Sequence, residues 1–512
     1  MDGGGYLFPV AAGPDELARY ALNDFGNAQR LIRQIGGVFQ ADGGVETAHC
    51  RLLHLRERGW IAFAGTHWSL TAGEEFARRE AHKVSIGLIA QGPFKPDSVT
   101  GKGWVDFVVR SGNSGSSGAM LAQAAAYLTV GPEAFDTDPL AVNCRNGVLR
   151  FGRDKDGKPR LAFDRAHHAQ DRFSRLAEVD YDAKAVRPVF DAFLEQIQPR
   201  PEMRDYLAKV LGYAATGETR EQAFFILQGK GGDGKSTLIN AVRDLLGGYA
   251  VSSAVETFLD AGARRAGDAS PELARLAGDT RMVCTAEPPG GAKLASAAIK
   301  TFTGGGRVAA RELRQGIFEF SPVCKILLEC NRRPSISDID DGIWRRLRIV
   351  MFERQVAEAA IDRDLPRKLE AERAGLLNWL TDGVLAWMAD GLDPPEAVRA
   401  AGDDYRRGAN PFGDWFRERC VAEADHKIRA KDLFDDYKAW CEAQGHERPM
   451  TQTTFGRALG DLQVIRAGKD GSGAVLRKGV RLRPSWEDEA GGGAASFPAD
   501  DPFSAPAAGP AP

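Results

Sequence analysis

What this chain lacks narrows it first. Its seven cysteines include no C-x-x-C pair, so neither a zinc ribbon nor a disulfide framework is written into it. Thiols this sparse fit a reducing compartment, and a cytoplasmic location is expected. No apolar run approaches the ~20 residues that cross a bilayer, and no signal peptide opens the sequence, so no membrane partner is expected. No repeat at solenoid periods is present. Charge of one sign is also missing: 67 Lys and Arg against 70 Asp and Glu leave a net charge of -3. That excludes a uniformly basic nucleic-acid coat but not a local basic surface. His49, Cys50 and His54 lie together in AHCRLLH, yet a zinc site needs four ligands and no second pair accompanies them.

What is present is an ordinary globular composition, 43% hydrophobic and 27% charged over 512 residues. That length suggests about three or four domains. The chain turns on residues 221–247. An apolar run, Ala223 to Leu227, predicts a fully buried strand. The turn GKGGDGKS follows, and then a helical pattern from Thr237 that stops at Gly247-Gly248. Gly229, Gly234, Lys235 and Ser236 fit G-x-x-x-x-G-K-[ST]. The order has a chemical reason. Glycines let backbone N–H groups wrap a phosphate chain, and the helix N-terminus behind them favours negative charge. Gly229, Gly231, Gly232, Asp233, Gly234, Lys235, Ser236 and Thr237 are therefore candidate nucleotide-binding residues. Lys235 is expected on the β- and γ-phosphates of ATP and the Ser236 hydroxyl on Mg²⁺.

A phosphate loop hydrolyses nothing alone. About fifty residues on, Arg281 to Glu287 reads as a buried strand ending in a carboxylate, and Pro-Pro-Gly-Gly stops it. Glu287 is the candidate second metal or water-polarising acid. A third strand, Val323 to Cys330, ends in Asn331, whose amide could orient water; the bland alternative is a turn residue. In IWRRLRIV, Arg345 and Arg346 are candidates for an arginine finger supplied to a neighbouring subunit, or else a solvated basic face. Between acid and amide, IKTFTGGGRVAAREL reads as a glycine-jointed basic hairpin. Lys300, Arg307, Arg311 and Arg314 could track a phosphate backbone and Phe302 could stack a base. A salt-bridged surface hairpin is the alternative.

Around this core, residues 1–15 read as a loose glycine-rich start and 16–37 as helix. Short alternating runs near Trp60 and Trp68 suggest a small hairpin, and 72–90 a helix. RSGNSGSSG (110–118) reads as a flexible segment, followed by an alanine-rich helix over 118–128. Residues 142–163 suggest a hairpin turning at Asp156-Gly157. Residues 184–215, 365–393 and 396–406 are helical. Residues 411–485 follow a helix–helix–strand–strand pattern in which Thr451 caps the second helix. There Arg466, Lys469, Arg477, Lys478, Arg481 and Arg483 decorate a glycine-tipped hairpin, a candidate duplex contact. The last residues, 486–512, are Gly/Ala/Pro-rich and predicted to be disordered.

The succession GKGGDGKST, RMVCTAE, IKTFTGGGRVAAREL, FEFSPVCKILLECNRRP and DDGIWRRLRIVMF resembles the superfamily 3 helicase core. It looks most like the phage and plasmid primase–helicases, related to the poxvirus-type nucleoside triphosphatases. LNDFGNAQRLI and NCRNGVL resemble the domain ahead of that motor, and LFDDYKAWCEAQG with TTFGRAL its C-terminal winged-helix module. The resemblance implies an α/β fold: an AAA+-type P-loop NTPase core with an α+β N-terminal domain and a C-terminal winged-helix domain. It implies a hexameric ring that draws single-stranded DNA through its pore with ATP and Mg²⁺, and so unwinds forked DNA. By motif, Gly229, Gly234, Lys235 and Ser236 are Walker A, Glu287 the Walker B acid that shares Mg²⁺, Asn331 sensor 1, and Arg345 or Arg346 the finger. Lys300 and Arg311 fall in the pore-hairpin segment.

The expected divisions are 1–15, an N-terminal domain over 16–180, the ATPase core over 181–356, a helical linker over 357–410, the winged helix over 411–485 and the tail. Gly306 stands where the family often has an acidic residue. The N-terminal 200 residues carry neither a zinc-binding cysteine set nor a D-x-D polymerase pair, so no primase activity is expected within this chain, and a separate primase or initiator is a candidate partner. The rival readings are a DNA-stimulated ATPase or initiator without strand separation, a P-loop small-molecule kinase, and a binding protein with a dead site. The basic hairpins and the Trp344-Arg345-Arg346 segment oppose the kinase. Intact Lys235, Ser236 and Glu287 oppose the dead site.

Overall fold

A computed structural model describes residues 20–91, 99–260, 270–311, 317–336, 341–409, 411–444 and 449–483. The predicted loose N-terminus, Arg314 and the predicted disordered tail lie outside them. The chain divides into two compact units, Met1–Pro334 with Asp341–Arg399, and Ser335–Asp340 with Ala400–Pro512.

The first unit opens with helix α1 (Asp24–Gln34), whose N-cap Asn23 accepts the Gly26 amide through its side chain. A short ladder of β1 (Val38–Phe39) and β2 (Val45–Glu46) follows. Strands β3 (Leu52–Leu55), β4 (Gly59–Phe63) and β5 (Trp68–Ser69) run antiparallel. Helices α2 (Gly73–Gln91), α3 (Val99–Ser111) and α4 (Ser114–Leu128) then lead to β6 (Thr129–Val130), which pairs parallel to β3. Their core gathers Leu31, Ile32, Leu53, Ile61, Trp68, Met120 and Leu128.

The predicted flexible segment 110–118 is corrected here: all but Gly112 and Asn113 is helical. The break between α3 and α4 is pinned from two sides. Asn27 Nδ2 donates to Ser111 Oγ (2.9 Å) and Ser85 Oγ to the Ser111 carbonyl (2.8 Å). Burial of Ser117, Met120, Leu121 and Ala124 outweighs the low helix propensity of the Gly/Ser turn.

Strands β7 (Ala141–Cys144), β8 (Gly147–Arg153) and β9 (Pro159–Asp164) form an antiparallel sheet. The β8–β9 turn is tied by Asp154, whose Oδ1 accepts the amides of Asp156 and Lys158 (2.9 Å each), with Gly157 at φ 78°. Helices α5 (Pro188–Ile197) and α6 (Pro201–Ala215) each begin on proline, where the missing N–H costs nothing.

The parallel sheet follows. Its elements are β10 (Phe224–Gly229), α7 (Lys235–Leu246), β11 (Ala250–Ser253), β12 (Met282–Thr285) and α8 (Ser296–Thr303). Then come the antiparallel pair β13 (Val308–Arg311) and β14 (Ile317–Phe320), and the strands β15 (Lys325–Cys330) and β16 (Leu347–Phe352). The five strands β11-β12-β15-β10-β16 lie in that order and all run parallel. β10 and β15 are buried on both faces, which is why their sequences are near-continuous apolar runs. Helices α9 (Leu365–Ala371) and α10 (Arg373–Asp390) complete the first unit's helical run, and α11 (Glu396–Ala409) runs across the division at Arg399 and Ala400. α6 and α10 meet at Gly212 and Gly383, where a Cβ on Gly383 would lie 2.0 Å from the Ala208 carbonyl oxygen.

The β7–β9 sheet shares the apolar core of the parallel sheet: Val142, Leu149 and Phe151 cluster with Leu211, Phe225 and Trp387. A buried ion pair sits on that seam. Arg281 is 0% exposed and makes two hydrogen bonds to Asp279 (2.7 and 2.6 Å), itself 4% exposed. Its remaining nitrogen donates to the carbonyls of Ala141 (2.6 Å) and Ala215 (3.0 Å), and its plane lies 4.3 Å from the Tyr249 ring.

In the second unit, α12 (Pro411–Arg419), β17 (Cys420–Arg429), α13 (Ala430–Ala443), α14 (Gln452–Asp461), β18 (Ile465–Lys469) and β19 (Val475–Leu482) follow one another. The sheet order is β17-β19-β18. This corrects the predicted helix–helix–strand–strand order: a helix and a strand precede it. β17, CVAEADHKIR, is a bulged edge strand with a mostly exposed pattern, so it carries no apolar alternation to read. Phe412, Trp415, Tyr437 and Phe455 form the core, and the Thr451 side chain accepts the Thr454 amide as predicted.

Removing the Arg281 guanidinium strands the buried Asp279 charge. Arg281→Met should lower the free energy of unfolding by about 3–5 kcal/mol, measured by urea denaturation; a loss under ~1 kcal/mol would mean the seam does not depend on this pair.

Candidate functional site

The loop between β10 and α7 follows from its glycines. Gly231, Gly232 and Gly234 take φ of 85°, 63° and 79°, a region L side chains rarely adopt. A Cβ on Gly234 would also lie 2.4 Å from Ile197 Cγ2 of α5. The strand-exit segment after β16 straps the loop from outside: Val356 N donates to the Gly232 carbonyl (2.8 Å) and Gln355 Nε2 to that of Gly231 (2.9 Å). β10 lies between β15 and β16, so the loop opens at the carboxyl edge of the parallel sheet, where α/β folds bind ligands.

A cavity of about 460 Å³ lies there, lined by Gly231–Thr237, Ala286, Glu287, Glu329, Cys330 and Asn331. Inside it, Lys235 and Asp233 are both buried and ion-paired, Nζ to Oδ2 at 3.0 Å. Asp233 also accepts the amides of Gly231 (3.2 Å) and Lys235 (3.3 Å). Lys235 Nζ donates in addition to Asn331 Oδ1 (3.1 Å). Asn331 in turn grips Glu287 twice: its amide N donates to Oε1 (3.0 Å) and its Nδ2 to Oε2 (2.7 Å). Lys235, Glu287 and Asn331, far apart in sequence, thus form one connected chain.

Ser236 meets a different acid. Its Oγ donates to Glu329 Oε2 at 2.5 Å. Burial pushes the Glu329 carboxyl up from the usual range, opposed by the Ser236 hydrogen bond and the Lys235 charge. Glu329 was missed by sequence reasoning. Its signal was a carboxylate inside the apolar strand KILLEC, which is costly to bury without a partner. The Ser236 hydroxyl with two nearby carboxylates, Glu329 and Glu287, is a hard-oxygen set of the kind Mg²⁺ takes. Lys235 and the loop amides suit a phosphate chain.

Three other candidates are placed differently from expectation. Arg346 is buried, its Nε donating to Thr303 Oγ1 (3.0 Å) and a terminal nitrogen to Gln222 Oε1 (3.0 Å). It knits β16 to α8, which corrects its reading as a residue that reaches outward. Arg345 is exposed. The expected glycine-jointed hairpin over 298–313 is corrected too: Lys300 and Phe302 lie on α8, and Gly304–Gly306 link that helix to β13. Phe302 is 3% exposed and packs on Phe258 (5.4 Å, edge to face), so it is core and no base platform. The hairpin is β13–β14, with Arg307 ion-paired to Glu319 across it (3.5 Å) and Arg311 at the end of β13. In the second unit, Arg477 folds inward, donating to the carbonyls of Val464 (3.2 Å) and Gly456 (2.9 Å). Burial lowers its pKa. That corrects its reading as a DNA contact. Lys478 pairs with Asp425 (2.9 Å), while Arg466 and Lys469 are exposed.

Among the described residues no group of three or more His, Cys, Asp or Glu forms a metal cluster, the seven cysteines are buried and free, and no helix is long and apolar enough to cross a membrane.

Comparison with known proteins adds two family matches, "D5 N terminal like" over residues 44–199 and "Poxvirus D5 protein-like" over 407–464. "Putative helicase L207/L206" of Acanthamoeba polyphaga mimivirus is 28% identical over 326 residues, 60% of this chain and 33% of that protein. "Putative helicase 022R" of Frog virus 3 is 26% identical over 272 residues, 49% of this chain and 28% of that protein. The chain spans between 23% and 33% of the length of the curated relatives it matches. The solved apo structure of the NrS-1 C-terminal region aligns with 12% identity and a TM-score of 0.37 over 59% of this chain and 80% of that one.

The two neighbouring arginines separate by experiment. Arg346→Ala should cost about 1.5–3 kcal/mol of stability, and Arg345→Ala less than ~0.5 kcal/mol, read from denaturant midpoints. Equal losses would contradict the buried role of Arg346.

Proposed function

We propose that this chain, which is similar to the D5-like superfamily 3 primase–helicases, is the ATP-driven motor of a replicative DNA helicase of a virus, phage or plasmid. The observation that carries the reading is the chain of contacts from Lys235 through Asn331 to Glu287 at the mouth of the phosphate loop. A phosphate clamp, a polar amide and a carboxylate meet there in the order a nucleoside triphosphatase needs.

In this reading the parallel sheet is an AAA+-type core, and its strand order, with the loop strand second from one edge, supports that. Gly229 to Thr237 cradle the phosphates of ATP, and Lys235 neutralises them. Ser236 would hold Mg²⁺, and Glu287, held by Asn331, would polarise the attacking water. When bound, the metal supplies charge neutralisation on the phosphates. Arg345, exposed at the start of β16, reaches the site of a neighbouring copy in a homo-hexameric ring.

Lys300, Arg307 and Arg311 flank the β13–β14 hairpin and contact single-stranded DNA. Residues 411–485, with a basic sheet behind a helix pair, serve as a winged helix on duplex DNA. The residues over 16–180 act as a collar or recruitment domain, and priming is left to a separate protein.

ATP turnover should rise with single-stranded DNA, and forked duplex should be unwound. Lys235→Ala should lose turnover by at least about 100-fold. Mixing Arg345→Ala with Lys235→Ala subunits should restore part of it. Turnover indifferent to DNA sinks the helicase reading, and DNA-stimulated turnover without unwinding points to an initiator or translocase instead. For the second unit, Arg466→Ala with Lys469→Ala should weaken duplex binding evenly across sequences and reduce the salt slope by about 2, read by anisotropy at several salt concentrations. An unchanged slope removes the wing from the DNA contact.

A further inference from the structure

The site contains two carboxylates that could share the metal with Ser236, and the motif order nominates Glu287. The geometry points to the other. We infer that Glu329 is the metal-side carboxylate of this site and that Glu287 with Asn331 forms a separate pair that handles water. This deepens the reading above and rests on it.

Three observations carry the assignment. First, proximity: Ser236 Oγ and Glu329 Oε2 are 2.5 Å apart. Two oxygens on adjacent corners of a Mg²⁺ octahedron lie about 2.9 Å apart, given bonds of about 2.0–2.1 Å. The pair needs to open by only a few tenths of an ångström, with the Ser236 O–H turned away from Glu329, for the two oxygens to share the ion.

Second, engagement: both oxygens of Glu287 are already gripped by Asn331, at 3.0 and 2.7 Å. Swinging Glu287 to Ser236 breaks both bonds and frees the amide that also steadies Lys235. Glu329 reaches Ser236 with no such loss.

Third, topology: β15 is the direct parallel neighbour of the loop strand, with Leu227 opposite Glu329 and Gln228 opposite Cys330. Glu329 is therefore fixed beside the loop's entry. Glu287 lies two residues beyond the end of β12, one strand further from the loop. Glu287 and Asn331 are exposed, as suits groups that receive water. The inner position, against the first turn of α7, suits a ligand whose carboxylate must not wander.

The division of labour predicts two distinguishable defects. Binding of a fluorescent ADP analogue to the full-length chain is titrated with Mg²⁺, with EDTA as the metal-free reference. Glu329→Gln should raise the Mg²⁺ concentration for half-maximal enhancement about tenfold or more, with metal-free binding no weaker than that of wild type, because an anion beside the phosphates is removed. Ser236→Ala should shift the same midpoint, and the double variant should shift it little further, because the two residues serve one ion. Glu287→Gln should leave the midpoint within about twofold while lowering ATP turnover by about 100-fold or more. The Glu329→Gln change is nearly isosteric, and the metal-free arm reports directly whether the loop is intact.

A Mg²⁺ midpoint moved by Glu287→Gln and untouched by Glu329→Gln overturns the inference while leaving the nucleotide site standing. Wild-type protein that binds no nucleotide, or Lys235→Ala that binds it as wild type does, overturns the site reading and the inference with it.

Discussion

A buried ammonium cannot stand alone, and the site is built around that constraint. Lys235 has an 8% exposed side chain, and the desolvation penalty of such a charge is several kcal/mol unless it is paired and hydrogen-bonded. Asp233 supplies the charge and Asn331 Oδ1 the remaining acceptor. Once the Asn331 oxygen faces Lys235, its Nδ2 must face away, and there it meets Glu287. One buried charge thereby sets the orientation of side chains from the loop, from β15 and from beyond β12. The glycines answer the same demand from the backbone side. Asp233 Oδ2 lies where a Cβ on Gly229 would be, 1.8 Å from it, so only glycine leaves room for the carboxylate.

The opposite edge of the sheet is fixed by the same physics. Arg281 leads into β12 and Lys325 opens β15, and both are buried among carbonyl oxygens. Lys325 Nζ donates to those of Thr216, Glu218 (3.2 Å) and Val323 (3.0 Å), while Arg281 takes those of Ala141 and Ala215. The carbonyls at the ends of β7 and α6 would otherwise be orphaned. Two cations therefore join the antiparallel β7–β9 sheet and the helix before the loop to the parallel sheet, through one apolar core. A strand whose two ends are both tied has little freedom to slide, so the loop and the tips of β12 and β15 keep their spacing. The site's geometry thus depends partly on residues well before the loop in sequence, Ala141 among them.

The sequence made the parallel architecture legible because a strand buried on both faces must be written as a near-continuous apolar run, as Phe224–Leu227 and Ile326–Leu328 are. The loop was legible because positive φ at close approach demands glycine. What could not be read had a common cause: the same residue type serves inside and outside, and only packing decides. Arg345 and Arg346 are adjacent and identical. The turn before β16 sends Arg346 toward Thr303 and Gln222 and Arg345 to solvent. Arg477 and Lys478 divide likewise on β19, where the period-two alternation sends the arginine inward to carbonyls and the lysine to Asp425. Glu329 escaped notice for the converse reason, a single carboxylate masked by an otherwise apolar strand. The Gly/Ser run at 110–118 read as flexible because propensity is a weak prior, and tertiary burial of α4 overrode it.

The site also divides by exposure, and the division bears on what can act there. Asp233 and Lys235 are buried and satisfy each other within the chain, whereas Ser236, Glu287 and Asn331 are exposed. The inner half is thus set by the fold alone, at full desolvation cost, before any ligand arrives. The outer half faces solvent, where a surface ion pair is worth little and water is plentiful. Groups placed there gain most when another body covers them and lowers the local dielectric, because the same charges then interact several-fold more strongly. Arg345, in the turn just before β16, is likewise exposed. It carries a charge of the sign a triphosphate attracts, beside Arg346, which is spent on holding the fold. A site whose inner half is fixed by the fold and whose outer half is open to water gains electrostatic strength wherever that outer half is covered.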